Sequence, residues 1–228
     1  AYTWSHSIDN ASDPLVAASG NRTFPRNSNA LFQERGNSDF DIRQRLVINY
    51  SWQLPFGKGQ QFANSGVVGK VLEGWQFSGI VTFQTGHPYD IFYNRDTQHT
   101  GLSARGDLIG DPLLPAGHPK DQTGLLASGF CIRPDCPTPW GNPGIARNRF
   151  YGPSYNNWNV VMSKDTTITE RMKLQFRAEV FNLFNRTQFG QPGNTLQSPT
   201  FGFSTFTIGS PDGTSSARQL QVALKVLF

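Results

Sequence analysis

The last ten residues, Gln219-Leu-Gln-Val-Ala-Leu-Lys-Val-Leu-Phe228, alternate with a period of two. Leu220, Val222, Leu224, Val226 and Phe228 share one face. Gln219, Gln221, Ala223 and Lys225 share the other, where Leu227 is the one large apolar intruder. Successive side chains of a strand point to opposite faces, so this spacing prescribes a ribbon that is apolar on one side. Chain ends usually fray. A regular apolar face that runs into a terminal aromatic instead fits the closing strand of a transmembrane barrel, with lipid on one side and the aromatic at the interface.

Five more segments carry the same period. In residues 1–9, Tyr2, Trp4, His6 and Ile8 oppose Thr3, Ser5, Ser7 and Asp9. Over 40–54, Phe40, Ile42, Leu46, Ile48, Tyr50, Trp52 and Leu54 share a face with Gln44. Over 72–93, Trp75, Phe77, Gly79, Val81 and Phe83 alternate with Gln76, Ser78, Ile80, Thr82 and Gln84. Gly86-His87-Pro88 then predicts a kink before Tyr89, Ile91 and Tyr93. Residues 157–168 set Trp158, Val160, Met162 and Ile168 against Asn157, Asn159, Ser163 and Asp165. Residues 171–183 set Met172, Leu174, Phe176, Ala178 and Val180 against Lys173, Gln175, Arg177 and Glu179. Helix propensity allows a helix over 170–185, but strict alternation without a 3.6-residue stripe favours a strand.

Several segments reach about 11–15 residues, where soluble strands cluster near 5–6 and a tilted bilayer crossing needs about 9–11. Length therefore favours an all-β, antiparallel, up-and-down membrane barrel, of which this chain supplies about six strands. No apolar run approaches the roughly 20 residues of a membrane helix, which leaves a barrel open. The 18 Phe, 23 Gly and 15 Pro of the 228 residues suit strands and turns. The net charge of +4 is mild and the basic residues are dispersed, so nucleic acid is not an expected partner.

The links alternate in length. Residues 10–39, 94–156 and 184–216 are long, 55–71 is shorter, and Thr169-Glu170 is a tight turn. Such barrels have long external loops and short periplasmic turns. With Phe228 at the periplasmic rim, the three long links fall outside and the two short ones inside. The chain opens without Met or a signal-peptide pattern and already alternates, so it reads as a fragment with its targeting segment upstream.

The chain resembles the C-terminal part of TonB-dependent outer-membrane receptors, in particular the Oar-like branch with a carboxypeptidase-regulatory-like N-terminal domain. The matching pieces are Ala1-Tyr-Thr-Trp-Ser-His-Ser-Ile-Asp-Asn10, Phe40-Asp-Ile-Arg-Gln-Arg-Leu-Val47, Leu54-Pro-Phe-Gly-Lys-Gly59, Gly74-Trp-Gln-Phe-Ser-Gly79 and Thr85-Gly-His-Pro88. They continue with Gly144-Ile-Ala-Arg-Asn148, Tyr151-Gly-Pro153, Phe176-Arg-Ala-Glu-Val-Phe-Asn-Leu-Phe-Asn185 and Arg218-Gln-Leu-Gln221 through Phe228. The resemblance implies a barrel of about 22 strands, with an N-terminal plug and a TonB box outside this sequence. It implies a place in the bacterial outer membrane, insertion by the barrel-assembly machinery, and energy from TonB. The implied task is uptake or export of a bulky solute such as a peptide, glycan or chelate.

Individual residues add expectations. Trp4, Trp52, Trp75, Trp158 and Phe228 read as interfacial aromatics, against core packing as the alternative. Arg43, Arg45, Lys173, Arg177 and Glu179 fall on the polar, lumen face. Ordinary charge pairing there is the simpler reading, and contact with a plug or solute the functional one. Cys131 and Cys136 suit a local disulfide outside the cytoplasm, with two free thiols as the alternative. His6, His87, His99 and His118 lack metal-ligand spacing. Gly57-Lys58-Gly59 lacks the rest of a phosphate loop. Arg105-Gly106-Asp107 and the acceptor patterns at Asn21 and Asn185 are short enough to arise by chance. No catalytic arrangement and no cofactor are expected. Loop 94–156 is where specificity is expected. The rival reading is a secreted or cell-surface binding module whose apolar faces meet in a sandwich core.

Overall fold

A computed structural model describes residues 1–12, 31–57, 60–63, 65–92, 105, 107–110, 130–131, 147–208 and 216–228. Six strands form one sheet: β1 (Tyr2–Trp4), β2 (Gln44–Gln53), β3 (Trp75–Gln84), β4 (Tyr155–Thr169), β5 (Met172–Phe181) and β6 (Gln219–Leu227). Each pairs antiparallel with its neighbours in chain order, an up-and-down meander. All six alternating segments thus contribute to a single sheet. It is open, with β1 and β6 as its outer strands.

Register carries the alternation across strands. Tyr50, Gly79, Val160, Val180 and Leu220 lie side by side, and Trp52, Phe77, Met162, Ala178 and Val222 form the next apolar row. Opposite are rows such as Gln53, Gln76, Ser163, Arg177 and Ala223. A slip of one residue would exchange the two faces, so the pattern itself specifies the pairing. Gly79 belongs to this fit, because a Cβ there would strike the Tyr50 ring that lies across it. The ten-residue strands span about 33 Å, which at a tilt near 40° gives about 25 Å, the height of a barrel's apolar band.

The apolar face is largely exposed along its outer strands, while Val81 and Val160 at its centre are buried. Leu220 is 70% exposed, Leu224 65% and Trp4 69%. A sandwich would bury these residues under a second sheet, so the rival architecture does not describe this chain. The buried apolar cluster of Tyr89, Ile91, Leu196 and Phe201 lies in the links.

Four expected strands are shorter in the sheet than their alternation suggests: the second, expected over 40–54, covers Gln44–Gln53, the fifth, expected over 171–183, covers Met172–Phe181, and the first and third lose more. The first was expected over 1–9 but pairs with β2 only through Tyr2–Trp4. Beyond it the Asp41 carboxylate accepts the Ser7 N–H at 2.7 Å, and Ile8–Asp9 pairs with Gly36–Asn37 instead. The third was expected over 72–93 but ends at Gln84. After Gly86, Pro88–Tyr89 pairs with Phe150–Tyr151. The proline lacks a ladder donor and the glycine packs against Gly152, so the chain leaves the sheet there.

The link between β2 and β3 holds a short helix, α1 (Gly66–Leu72). The turn between β4 and β5 is Glu170-Arg171, with a register shift between Thr167 and Thr169. At the other end of β5, Asn182 and Asn185 take positive φ, 51° and 50°. Asparagine tolerates this region. The Asn182 side chain donates to the Arg186 carbonyl at 2.8 Å and to the Ser216 carbonyl, and accepts the Arg186 N–H at 3.0 Å. Asn185 accepts the Arg218 N–H at 3.0 Å. The Phe-Asn-Leu-Phe-Asn stretch therefore stops one strand and starts the path to the next.

Candidate functional site

The links after β1, β3 and β5 all leave the same end of the sheet, and their described residues, 5–12, 31–43, 85–92, 105, 107–110, 130–131, 147–154, 182–208 and 216–218, assemble into a cap. Pro88-Tyr-Asp-Ile-Phe92 is its spine. Tyr89 and Ile91 are buried against Leu196 and Phe201, with Leu108 and Phe150 packed around them. Phe92 exchanges backbone hydrogen bonds with the third link, donating to Asn194 and accepting from Leu196, both at 2.8 Å. Gln188 ties that link to β4, where its amide accepts the Asn156 N–H at 3.0 Å and donates to the Asn156 carbonyl at 2.6 Å.

Asp90, between Tyr89 and Ile91, points to the opposite side and enters a buried ionic cluster. Arg105 pairs with Asp90 at 3.3 Å and with Glu34 of the first link, and all three side chains are nearly inaccessible. Arg147 pairs with Asp9 and, at 3.6 Å, with Asp39. It also donates to the Ser12 hydroxyl at 3.1 Å and the Glu34 carbonyl at 3.2 Å. Asn148, at φ 56°, donates its backbone N–H to Asp90 at 2.6 Å and its side-chain amide to Asp39 and the Asn37 carbonyl. Asn37 returns a bond to the Asn148 carbonyl at 2.8 Å.

Burial on this scale favours neutral forms. Burial pushes the Asp90 carboxyl up to about 6, against the opposing pull of Arg105 and the Asn148 N–H. Burial likewise lowers the Arg147 guanidinium from its ordinary value. Buried ion pairs contribute little net stability, but removing one partner is expensive. The cluster therefore acts as a clamp that specifies how two links meet. Gly36 makes the approach possible, since any Cβ there would collide with Arg147.

Arg43, read onto the lumen face, lies one residue before β2; it pairs with Asp41 at 3.0 Å, the ordinary charge pairing expected there, and its donation to the Tyr151 hydroxyl at 3.1 Å ties it to the cap. Arg105, the first residue of the adhesion-type tripeptide, is 3% exposed and committed to the clamp. Arg45, Lys173, Arg177 and Glu179 do lie on the polar face, and Arg177 pairs with Glu179 there. A groove of about 290 Å³ opens beside Arg45, lined also by Thr3, Ser5, Ser7, Phe40 and Asp41.

Trp4 projects at the cap end of the apolar face and Trp52 and Trp75 toward the other end. Trp158 packs edge-on against Phe83 and Phe184. Phe228 is fully exposed. Cys136 and the Cys131 side chain lie outside the described residues, as do His99, His118, Asn21 and Lys58. Among the described residues no group of His, Cys, Asp and Glu has a metal-binding arrangement.

Asp9, Glu34, Asp39, Asp90 and Asn148 were not singled out in the sequence. One signal was available: an aspartate inside the apolar run Tyr89-Asp-Ile-Phe92 needs a buried partner. The partners themselves have no local signature.

Comparison with curated proteins and with solved structures gives no match. The family described as "Outer membrane beta barrel domain" matches residues 1–221, nearly the whole chain. An antiparallel meander with one largely exposed apolar face, strands long enough for a bilayer and a tied-down cap at one end agree with that match, and the chain belongs to the outer membrane β-barrel domain family of the bacterial outer membrane.

Proposed function

We propose that the chain is part of the wall and external recognition surface of a TonB-dependent, Oar-like receptor that moves a bulky solute across the outer membrane. In this reading the polar face lines the lumen, the cap is extracellular, and the turns at 54–74 and 170–171 are periplasmic. Further strands, a plug and a TonB box lie elsewhere in the full protein. The observation that carries the reading is the ionic clamp. Arg105 and Arg147 tie the first two long links together, and the Phe92 bridge adds the third. Passive pores need only an open lumen, whereas a rigid cap beside the polar wall is a surface suited to gripping cargo. The pieces that carry the resemblance supply part of the clamp: Asp9 in one, Arg147 and Asn148 in another.

The role is non-enzymatic, with the cap as binding surface and the chemistry limited to recognition. The full-length protein in its own outer membrane provides the test. Cells carrying or lacking the gene are offered labelled peptides, glycans and metal chelates. One class should bind to gene-carrying cells without proton-motive force and accumulate only with it. Accumulation that is indifferent to a protonophore and to loss of TonB overturns energised transport in favour of a passive pore.

A further inference from the structure

We infer that helix α1 is a membrane-surface anchor whose valines lie in the headgroup–acyl boundary of the phospholipid leaflet beside the short-link rim. The inference rests on the membrane barrel and on the proposed periplasmic side of its short links, and stands whether or not the protein transports anything.

Helix α1 (Gly66–Leu72) is inside out by the standards of a helix packed on protein. Val67, Val68 and Val71 are 78%, 62% and 58% exposed, while Gly69 is buried. At about 100° per residue, Val67, Val71, Val68 and Leu72 span one continuous arc, and Lys70 falls outside it. The residue turned to the protein is the buried Gly69. An apolar arc turned away from protein is the pattern of a helix lying in a membrane interface.

Two side chains fix where that arc goes. Lys164 of β4 is directly opposite Trp75 of β3, in the apolar row that continues through Phe176 and Leu224. A lysine on the lipid-facing side of a barrel wall is costly unless its charge is answered. Its Nζ donates to the carbonyls of Val71 at 2.5 Å and Glu73 at 2.8 Å, the open end of α1, and stands 5.4 Å over the Trp75 ring. Trp75 Nε1 donates to the same Val71 carbonyl at 3.2 Å. The positive charge complements the negative end of the helix dipole. The helix is thus pinned to the lipid-facing side of the wall, and its valines extend the apolar band.

The partner is a phospholipid surface, because the helix that carries the exposed valine arc is held by Trp75 and Lys164, members of the lipid-facing row. The test uses the full-length protein in phosphatidylethanolamine–phosphatidylglycerol vesicles, in a Cys131→Ser, Cys136→Ser background. Nitroxide labels are placed singly at Val67→Cys, Val68→Cys and Val71→Cys, with Gln61→Cys as the loop comparison. Collision with molecular oxygen should exceed collision with a water-soluble nickel chelate several-fold at the three valine positions and not at position 61. Nickel access at positions 67, 68 and 71 equal to that at position 61 overturns the inference in favour of an aqueous helix. Exclusion of both reagents overturns it in favour of a protein partner. In a Lys164→Met variant that keeps heat-modifiable gel mobility, the contrast at the valines should fall to the level of position 61. A contrast that persists removes Lys164 from the anchor.

Discussion

On the sheet, Leu220, Val222 and Leu224 are mostly exposed; in the cap, Glu34, Asp41 and Asp90 are almost wholly buried. The two regions share a chain and a rim yet reverse the usual distribution of polarity. The wall has little to gain from internal burial, because its stability rests on backbone ladders in a medium that offers no hydrogen bonds. The cap contains a small apolar core and uses directional charge contacts to decide which segments touch. Damage to the two regions should accordingly look different.

The largest effect is expected in the clamp. Arg105→Met leaves the Glu34 and Asp90 carboxylates buried without their guanidinium, a loss on the order of 3–5 kcal/mol. Hydrogen exchange should show deprotection of Tyr89–Phe92 and the first link, with the β3–β6 ladders unchanged. Equal deprotection of the ladders would show that cap and wall are one cooperative unit. The second test strikes the wall. Val222→Arg puts a charge in a central apolar row and should cost about 2–4 kcal/mol, read as loss of folded protein in a urea titration in vesicles. Gln221→Arg, on the other face of the same strand, should cost far less. Similar costs at both positions would mean that the two faces do not meet different solvents.

The smallest effect is one of pH. The folded Asp90 carboxyl titrates near 6, above the ordinary value of 3.8. Because the folded pKa is raised, the folded cap binds the extra proton more readily. The penalty from Asp90 is complete above about pH 6 and is relieved as pH falls toward 4. Between pH 7 and pH 5, cap amides should gain protection once intrinsic exchange rates are corrected for, by on the order of 1 kcal/mol. Asp90→Asn should flatten this dependence. A cap that loosens steadily across the same interval would place the controlling proton elsewhere.

The wall was readable in the sequence because a period of two is a local property that register multiplies across neighbours. Leu174, Phe176 and Ala178 declare their face within five residues. The cap was mostly unreadable because its pairings have no period and long separations. Glu34 meets Arg105 across 71 positions, and Asn37 meets Asn148 across 111. Helix α1 was missed for a different reason. Gly-Val-Val-Gly-Lys-Val-Leu has weak helix propensity and is shorter than an isolated helix needs. Its shape comes from Trp75 and Lys164, residues of neighbouring strands.

The distance along the chain between Arg147 and Asp9 has a consequence for the order in which the protein is made. The bond between the Arg147 side chain and the Asp9 backbone closes a separation of 138 residues. Its closure entropy is modest once β1 through β4 are aligned and prohibitive before, since the intervening strands bring the two ends together. The clamp therefore forms after the meander, as a late step of assembly. A sheet paired one residue out of step would present Asp9 and Arg147 at the wrong height and leave both charges unanswered, so the clamp closes only on a correctly registered wall.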